Sequence, residues 1–159
     1  MFLPDVLEVL RALQTESVDY VVFGAVALNI HGIGRATEDL DFFVRPDEQN
    51  IDRLRRALKR VYDDPCIDEI SAKDLCGDYP AVRYVPPQGD FYLDILTRLG
   101  EFVEFQDLES EVVEIEGISV RVVTARELYR LKRDTVRGQD RVDAERLRDR
   151  FGFDIEEST

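Results

Sequence analysis

Residues 20–44 read YVVFGAVALNIHGIGRATEDLDFFV and contain the elements that decide the fold. Tyr20–Phe23 is a run of β-branched and aromatic residues, which predicts a buried strand. Gly24 then permits a tight turn into a short helix over residues 25–31, because glycine has no Cβ to restrict the backbone. A loop follows, and Asp39–Val44 has the pattern of a second strand. The stretch therefore predicts a strand, a turn, a helix, a loop and a second strand.

Two carboxylates open the second of these strands. Successive side chains on a strand point to opposite faces, so Asp39 and Asp41 share one face. Leu40 and Phe42 face the other way, into a core. The two carboxylates repel each other, and a divalent ion or a metal-bound polyphosphate between them would relieve that repulsion. The pair therefore predicts a cation site at the start of this strand.

A third carboxylate interrupts an apolar strand predicted over residues 90–96. The apolar side chains of this strand, among them Leu93 and Ile95, share one face, and Asp94 points to the other. Asp94 is thus an acid in the middle of an apolar strand. Asp90, at the start of the same segment, is the competing candidate for a third acid.

The rest of the chain alternates helices and strands. Apolar residues at helical spacing predict helices, and short β-branched runs predict strands between them. The further helices begin at or near Leu3, Pro46, Thr124 and Asp140, and the further strands are Ile67–Ile70, Ala81–Val85, Val112–Ile115 and Ile118–Val123. Glu116-Gly117 predicts a hairpin turn, and Thr124 with Glu127 predicts a capping box. The pattern predicts an α/β (α+β) fold, a mixed β-sheet flanked by helices with helices at the C-terminus.

Size and composition favour one domain. The chain has 159 residues, 44% of them hydrophobic, which suits a single compact domain over residues 1–159. Its first residues have neither the basic region nor the long apolar run of a signal peptide, so we expect a cytoplasmic protein without a membrane partner. Cys66 and Cys76 have no histidine at metal-ligand spacing, so neither a zinc site nor a disulfide framework is expected, and free thiols are favoured.

The charge distribution restricts the partners. A net charge of -13 disfavours unaided binding along a nucleic acid, which requires Lys and Arg to neutralise phosphates. Residues 121–150 differ from the rest, with ten Lys and Arg against six Asp and Glu. This segment is suited to meet phosphates, although a solvated, charge-laced helix pair explains it equally well.

Residues 24–41 resemble the nucleotidyltransferase superfamily with the DNA polymerase beta-like fold. The resemblance is strongest to small prokaryotic members, including the nucleotidyltransferase-type toxins of abortive-infection toxin–antitoxin systems. Their pattern is G-[GSA]-x-A-x-x-x-H-G-x-x-R-x-T-x-D-[LI]-D, and the matching residues here are Gly24, Ala27, His31, Gly32, Arg35, Thr37, Asp39 and Asp41. A match over such a segment is far more specific than an isolated D-x-D pair. It implies a nucleotidyltransferase-like fold.

The resemblance also implies a metal-dependent site. Nucleotidyl transfer uses divalent ions that activate the attacking hydroxyl and hold the triphosphate. Mg²⁺ or Mn²⁺ would be bound by Asp39, Asp41 and Asp94, because apolar neighbours bracket Asp94 as they bracket the third acid of this family. Asp94 is further implied to assist the attacking hydroxyl. The alternative is that Asp94 is satisfied by a nearby arginine on a solvent-facing strand surface.

Four nearby residues are implied to bind the nucleotide. Gly24 would let a triphosphate approach the amides at the start of the helix, and Ala25 stands where the family usually has Gly or Ser. Arg35 is interpreted as a phosphate clamp and Thr37 as a hydroxyl that fixes the loop; the alternatives are an exposed arginine and a local turn bond. His31, the sole histidine, is expected to pack or to anchor the loop.

The C-terminal region carries a second resemblance. Lys132 and residues 137–147 are similar to the K...R-x-K-D-x-x-D-x-x-x-L run of the same family, with Gln139 where lysine is more common. Lys132 is implied to project toward the triphosphate. Asp140 and Asp143 are interpreted as structural, Asp140 as the N-cap of the last helix and Asp143 as its partner in the first turn.

The implied reaction is transfer of a nucleoside monophosphate from an NTP to a hydroxyl, with release of pyrophosphate. The acceptor would be RNA, a protein or a small molecule, and an antitoxin is an implied partner. A second hypothesis is a non-catalytic member that binds a nucleotide or a partner protein, because Ala25 and Gln139 depart from the family pattern. A carboxylate-metal hydrolase or nuclease ranks last, since the additional Glu/Lys or His pattern of such sites is missing.

Overall fold

The computed structural model describes residues 4–87, 91–99, 103–133 and 138–153. The helices are α1 (Pro4–Thr15), α2 (Gly24–Ile30), α3 (Glu48–Val61), α4 (Ala72–Leu75), α5 (Ala125–Arg133) and α6 (Gly138–Phe151). The strands are β1 (Tyr20–Phe23), β2 (Asp39–Val44), β3 (Ala81–Tyr84), β4 (Tyr92–Leu96), β5 (Arg98–Leu99), β6 (Val103–Glu104), β7 (Ser110–Ile115) and β8 (Ile118–Val123). Short 3-10 helices cover Pro65–Glu69 and Phe105–Asp107.

Six strands form one mixed sheet in the order β3-β4-β2-β1-β8-β7, and β5 pairs with β6 separately. Strand β1 is antiparallel to β2 and parallel to β8, and β2 is parallel to β4. Strands β3 and β7 run antiparallel to β4 and β8 at the two edges. The sheet and its helices confirm the predicted fold class, and β1 and β2 have the predicted bounds.

The two faces of the central sheet bury different chemistry. Leu40 and Phe42 of β2 are fully buried, whereas Asp39 and Asp41 on the opposite face are half-buried. Helices α1 and α3 contact each other, and α1 contacts β8. Helix α2 contacts β2 and α5, and α5 contacts α6. Asp39 and Asp41 line one cleft together with residues of α2, α5 and α6.

The entry to α5 follows the predicted capping box only in part. The Thr124 hydroxyl accepts a hydrogen bond from the Glu127 backbone N–H at 3.1 Å, as the pattern predicts. The Glu127 carboxylate does not return to Thr124 but accepts from the Glu109 backbone N–H at 2.8 Å. The Thr124 N–H donates instead to the Glu109 carbonyl. Glu127 therefore joins the start of α5 to the loop before β7.

The strand predicted over Ile67–Ile70 is wrong, because Pro65–Glu69 forms a 3-10 helix. The Asp64 side chain accepts from the Cys66 backbone N–H and caps this helix, and Pro65 has the fixed φ that suits a first turn. Ile67 and Ile70 are three residues apart, a spacing that lets a helical turn bury both. Strands β5 and β6 were not predicted.

Two further observations concern disulfide bonds and membrane-spanning helices. Cys66 and Cys76 are free, as predicted. Within the described parts of the chain, none of the helices has the length and apolar character needed to span a bilayer.

Candidate active site

The sheet register brings three carboxylates together. Asp41 of β2 lies opposite Asp94 of the parallel strand β4, and Asp39 lies two residues earlier on the same face. One carboxylate oxygen from each of the three residues lies within 4.8 Å of the other two. We call Asp39, Asp41 and Asp94 the carboxylate triad. Asp90, the competing third acid, lies outside the described residues.

Burial and repulsion act together on Asp41. Its pKa is raised from 3.8 to about 8, mainly because the carboxylate is buried. The charges of Asp39 and Asp94 and a hydrogen bond with Asp94 act in the same direction, while the charge of Lys132 opposes them. Burial and the two neighbouring carboxylates therefore favour the protonated form of Asp41, and a bound cation would favour the ionised form.

The carboxylate triad fits a divalent ion. Mg²⁺ and Mn²⁺ prefer oxygen ligands, and oxygens about 2.1 Å from one Mg²⁺ ion lie up to about 4.2 Å apart. The oxygens of the triad, all within 4.8 Å of one another, reach that spacing by small side-chain rotations. In residues 4–87, 91–99, 103–133 and 138–153, no other group of three His, Cys, Asp or Glu side chains has such spacing.

Arg83 binds the outer side of the carboxylate triad. The pairing of β3 with β4 places Arg83 directly opposite Asp94. Its Nε donates to Asp94 Oδ1 at 2.9 Å and its Nη2 donates to Oδ2 at 3.1 Å. The guanidinium also lies 5.2 Å from the centroid of the Tyr92 ring. The nearby arginine foreseen as an alternative explanation of Asp94 is therefore present together with the convergence of the three acids.

Gly24 gives Asp41 the space that it occupies. The backbone φ of Gly24 is +71°, and a Cβ at this position would lie 2.1 Å from Asp41 Oδ2. Both the turn and the close approach require glycine. The turn role predicted for Gly24 is confirmed, and the structure adds that a side chain at this position would collide with a triad carboxylate. Ala25, the next residue, is buried at the start of α2.

The loop between α2 and β2 is fixed by side chains at both of its ends. The Thr37 hydroxyl lies 2.7 Å from Asp39 Oδ1 and accepts from the Asp39 backbone N–H at 3.1 Å. Asn29 accepts from the Arg35 backbone N–H at 2.8 Å and donates to the Arg35 carbonyl at 3.0 Å. Thr37 therefore contacts a triad carboxylate through bonds to a residue two positions along the chain, which fits both the loop-fixing role and the local turn bond expected for it.

Helix α6 and strand β8 hold the same loop from outside. Arg146 donates to the Gly34 carbonyl at 2.9 Å, and Arg150 donates to the His31 carbonyl at 3.1 Å. The His31 ring lies with its Nε2 2.7 Å from the Val123 carbonyl. His31 thus anchors the loop, which confirms its predicted structural role.

Four charged side chains form a second group beside the carboxylate triad, and we call Arg35, Lys132, Asp140 and Asp143 the balanced cluster. Lys132 Nζ donates to Asp140 Oδ1 and to Asp143 Oδ2, each at 3.1 Å. Arg35 pairs with Asp143, whose side chain is fully buried. Asp140 is not the N-cap of the last helix, because α6 begins at Gly138 and places Asp140 in its first turn. There its carboxylate accepts a hydrogen bond from Lys132.

One cleft of about 1030 Å³ joins the two groups. Its lining includes every residue that the sequence implied for the site: Gly24, Ala25, Arg35, Thr37, Asp39, Asp41, Asp94 and Lys132. Arg83 and Asp140 line the cleft as well. The structure thus brings the implied residues to one place, and their roles in binding stay predictions.

Comparison of the sequence with known protein families gives a match that covers most of the chain. Residues 7–151 match the family described as nucleotidyl transferase AbiEii toxin, type IV toxin–antitoxin system. The chain belongs to the AbiEii nucleotidyltransferase toxin family. The match spans nearly all the described residues, from α1 to the end of α6, so the carboxylate triad and the balanced cluster both lie within the AbiEii region. No curated protein matches the sequence significantly.

Solved structures share the fold at low sequence identity. A Thermotoga maritima protein provisionally assigned as a nucleotidyltransferase is 18% identical, with 96% of each chain covered and a TM-score of 0.57. A nucleotidyltransferase-like antigen of Paracoccidioides brasiliensis is 18% identical, with 90% of this chain and 74% of that chain covered and a TM-score of 0.55. The antibiotic-resistance factor ANT(2'')-Ia, in complex with adenylyl-2''-tobramycin, is 15% identical, with 89% and 84% covered and a TM-score of 0.53. At these identities the likeness shows the fold.

Sequence reasoning missed Arg83 and Asn29. Arg83 stands in a predicted strand, but its partner follows from the register of β3 against β4, which a single sequence does not specify. Asn29 offered a signal, since asparagine near the end of a short helix before glycines commonly bonds to loop backbone.

Proposed function

We propose that this member of the AbiEii family is a metal-dependent nucleotidyltransferase that moves a nucleoside monophosphate from an NTP to a hydroxyl and releases pyrophosphate. The observation that carries the proposal is the convergence of Asp39, Asp41 and Asp94 in a cleft large enough for a nucleotide. The family match and the shared fold support it.

The chain's own residues divide the work of binding. Asp39, Asp41 and Asp94 would hold Mg²⁺ or Mn²⁺, and the bound ion would activate the attacking hydroxyl and offset charge on the triphosphate. Thr37 bonds to the Asp39 carboxylate, and Gly24 leaves room for the Asp41 carboxylate. These two supports matter because a metal site tolerates little displacement of its ligands.

The cationic side of the cleft serves the leaving group. Arg35 and Lys132 line the cleft and are held by the carboxylates of Asp140 and Asp143. Positive charge fixed at that place stabilises negative charge that develops on the departing pyrophosphate. In this proposal Asp94 also accepts the proton of the incoming hydroxyl.

The acceptor is one of three classes: RNA, a protein side chain or a small molecule. ANT(2'')-Ia, which shares the fold, is seen with an adenylylated small molecule, so the fold accommodates nucleotidylation of a hydroxyl compound. The family description as a toxin of a toxin–antitoxin system favours a cellular macromolecule and a cognate antitoxin as partners.

The fate of a radioactive label tests the reaction. With Mg²⁺ and a cell extract, α-labelled NTP should leave label on an acceptor, and γ-labelled NTP should leave label only in pyrophosphate. The four NTPs are tested separately, and treatment with ribonuclease or protease identifies the class of acceptor. Measurable Mg-NTP binding without α-label transfer from any NTP would favour the non-catalytic alternative.

A double substitution tests the site. Asp39→Asn with Asp41→Asn should abolish both Mn²⁺ binding and label transfer while the fold persists. The matched control is Glu48→Gln with Asp52→Asn on α3, which removes two negative charges from residues that do not line the cleft. A double triad variant that binds Mg-NTP with unchanged affinity would refute the assignment of the site.

A further inference from the structure

Arg83 lines the cleft but has no role in the reaction proposed above. Three cations of the described chain line the cleft: Arg35, Arg83 and Lys132. The side chains of Arg35 and Lys132 are 23% and 11% exposed, and carboxylates of the balanced cluster hold them. Arg83 is 58% exposed and binds Asp94, a member of the carboxylate triad. It is therefore the cation nearest to the metal ligands and the least enclosed.

The pairing of Arg83 with Asp94 uses the atoms that a metal would need. Both oxygens of Asp94 accept from the Arg83 guanidinium, at 2.9 and 3.1 Å. A divalent ion bound by Asp94 would stand close to this guanidinium, and two neighbouring cations repel each other. Metal binding therefore favours displacement of Arg83.

The surroundings of Arg83 let it move. Strand β3 is an edge strand of the six-stranded sheet, so Arg83 has a neighbouring strand on one side only. The Tyr92 ring, 5.2 Å from the guanidinium carbon, gives the side chain a surface to rest on when it leaves Asp94. An arginine side chain of this length and exposure changes rotamer at little energetic cost.

We propose that Arg83 is an exchangeable counter-ion, which pairs with Asp94 in the metal-free protein and transfers to the phosphates of the NTP when a divalent ion occupies the carboxylate triad. The inference rests on the proposed function, since it takes a metal-bound NTP as the ligand of the cleft. A guanidinium binds phosphate oxygens through two parallel hydrogen bonds, the same geometry with which Arg83 holds Asp94. The exchange keeps a positive charge beside the acids before the metal arrives and beside the triphosphate afterwards.

The test is the effect of Arg83→Gln on two separate affinities. Without nucleotide, Mn²⁺ should bind the variant about threefold to tenfold more tightly than the wild type, because a competing cation is gone. At saturating Mg²⁺, an NTP analogue that resists cleavage at the α-phosphorus should bind about tenfold more weakly, because a phosphate ligand is gone. Calorimetry measures both affinities without any need for turnover.

Two control variants complete the experiment. Arg60→Gln removes an arginine of matched exposure, 55%, that pairs with Glu16 just after α1 and does not line the cleft, so neither affinity should change. Arg83→Lys keeps the charge but loses the two-pronged geometry, and it should recover part of the nucleotide affinity. Thermal unfolding of each variant checks that the fold is kept.

The proposal requires that Arg83→Gln tighten Mn²⁺ binding and weaken nucleotide binding. If the Arg83–Asp94 pair were only structural, its loss would weaken both affinities. If Arg83 acted only as a neighbouring charge, its loss would tighten Mn²⁺ binding and leave nucleotide binding unchanged. Either result overturns the inference. Unchanged affinities in Arg83→Gln, beside a wild type that binds both ligands, overturn the inference alone. A wild type that binds neither Mn²⁺ nor Mg-NTP overturns the proposed function as well.

Discussion

The carboxylate triad and the balanced cluster border the same cleft and differ in how their charges are compensated. The triad places three acids together from β2 and β4, with Arg83 at its exposed edge as the paired cation. The balanced cluster places two acids and two bases together from α5, α6 and the loop before β2. Burial of like charges raises the pKa of Asp41 to about 8, whereas each buried acid of the cluster has a basic partner.

This difference separates a group whose charges are paired within the protein from a group whose charges require an added cation. Charged groups that are buried and mutually paired hold a structure in one arrangement. Acids that repel one another lower the stability of the free protein and become favourable only when a cation joins them. Substitutions in the two groups should therefore change stability in opposite directions.

The largest effect concerns turnover. Asp94→Ala should lower kcat by about 10³-fold or more, because a ligand of the proposed catalytic ion is lost, at a cost of about 4 kcal/mol in transition-state stabilisation. Label transfer from α-labelled NTP measures this loss. Asp90→Ala should remain near the wild-type rate, and a larger loss in Asp90→Ala would transfer the third-acid role to Asp90.

The next effect concerns the stability of the balanced cluster. Asp143→Ala leaves Lys132 and Arg35 without their shared carboxylate and should lower the free energy of unfolding by about 3 kcal/mol. Urea denaturation measures the change.

Asp52→Ala is the matched control, since Asp52 also pairs with an arginine, Arg55, but its side chain is 47% exposed. Its loss should be within about 1 kcal/mol. Equal losses in the two variants would mean that the cluster contributes no more than a surface ion pair.

A smaller effect separates backbone strain from contact with the carboxylate triad. Gly24→Ala and Gly117→Ala both place a side chain at positive φ, +71° and +81°, which costs about 1–2 kcal/mol in each case. A Cβ at Gly117 meets nothing within 4 Å, whereas a Cβ at Gly24 meets Asp41 Oδ2 at 2.1 Å. Gly24→Ala alone should therefore also weaken Mn²⁺ binding, by about tenfold. Similar Mn²⁺ affinities in both variants would show that Asp41 moves aside freely.

The smallest effect depends on pH. The pKa of Asp41 is raised from 3.8 to about 8 in the folded state, so the folded metal-free protein binds the proton more tightly than the unfolded chain. Its free energy of unfolding should then fall as the pH rises through this interval.

Asp41→Asn removes this titration. The variant should be close to the wild type at about pH 5 and more stable than the wild type by at least about 1 kcal/mol at about pH 8, measured by urea denaturation with a chelator. A constant difference across the pH range would contradict the raised pKa. Saturating Mn²⁺ should reverse the order at the higher pH, because only the wild type gains a ligand.

The central part of the fold could be read from local sequence. Tyr20–Phe23 and Asp39–Val44 have strand composition and clear punctuation, and Gly24 marks the turn between them. The alternation of polar and apolar residues around Asp94 correctly predicted which face of β4 carries its side chain. The strand predicted over Ile67–Ile70 was wrong because the prediction followed the apolar composition of this segment. Pro65, just before it, marked the start of a helical turn.

The electrostatic partners could not be read in this way. Lys132 was assigned to the cleft from a resemblance, but its contacts with Asp140 and Asp143 depend on the packing of α5 on α6. Arg83 faces Asp94 because of a strand register that the sequence does not state. A local sequence pattern can therefore identify a site residue, but it does not identify the neighbouring residue that balances the charge.

The loop that carries Arg35 also has a consequence for how the protein is made. Its anchors lie far along the chain: Asp143 is 108 residues after Arg35, Arg146 is 112 after Gly34, and Arg150 is 119 after His31. On the ribosome, β1, α2 and β2 emerge long before these residues, so two of the three triad acids exist while the loop beside them is still unfastened. For a chain of a toxin family, this order of synthesis delays a finished cleft until α6 has left the ribosome.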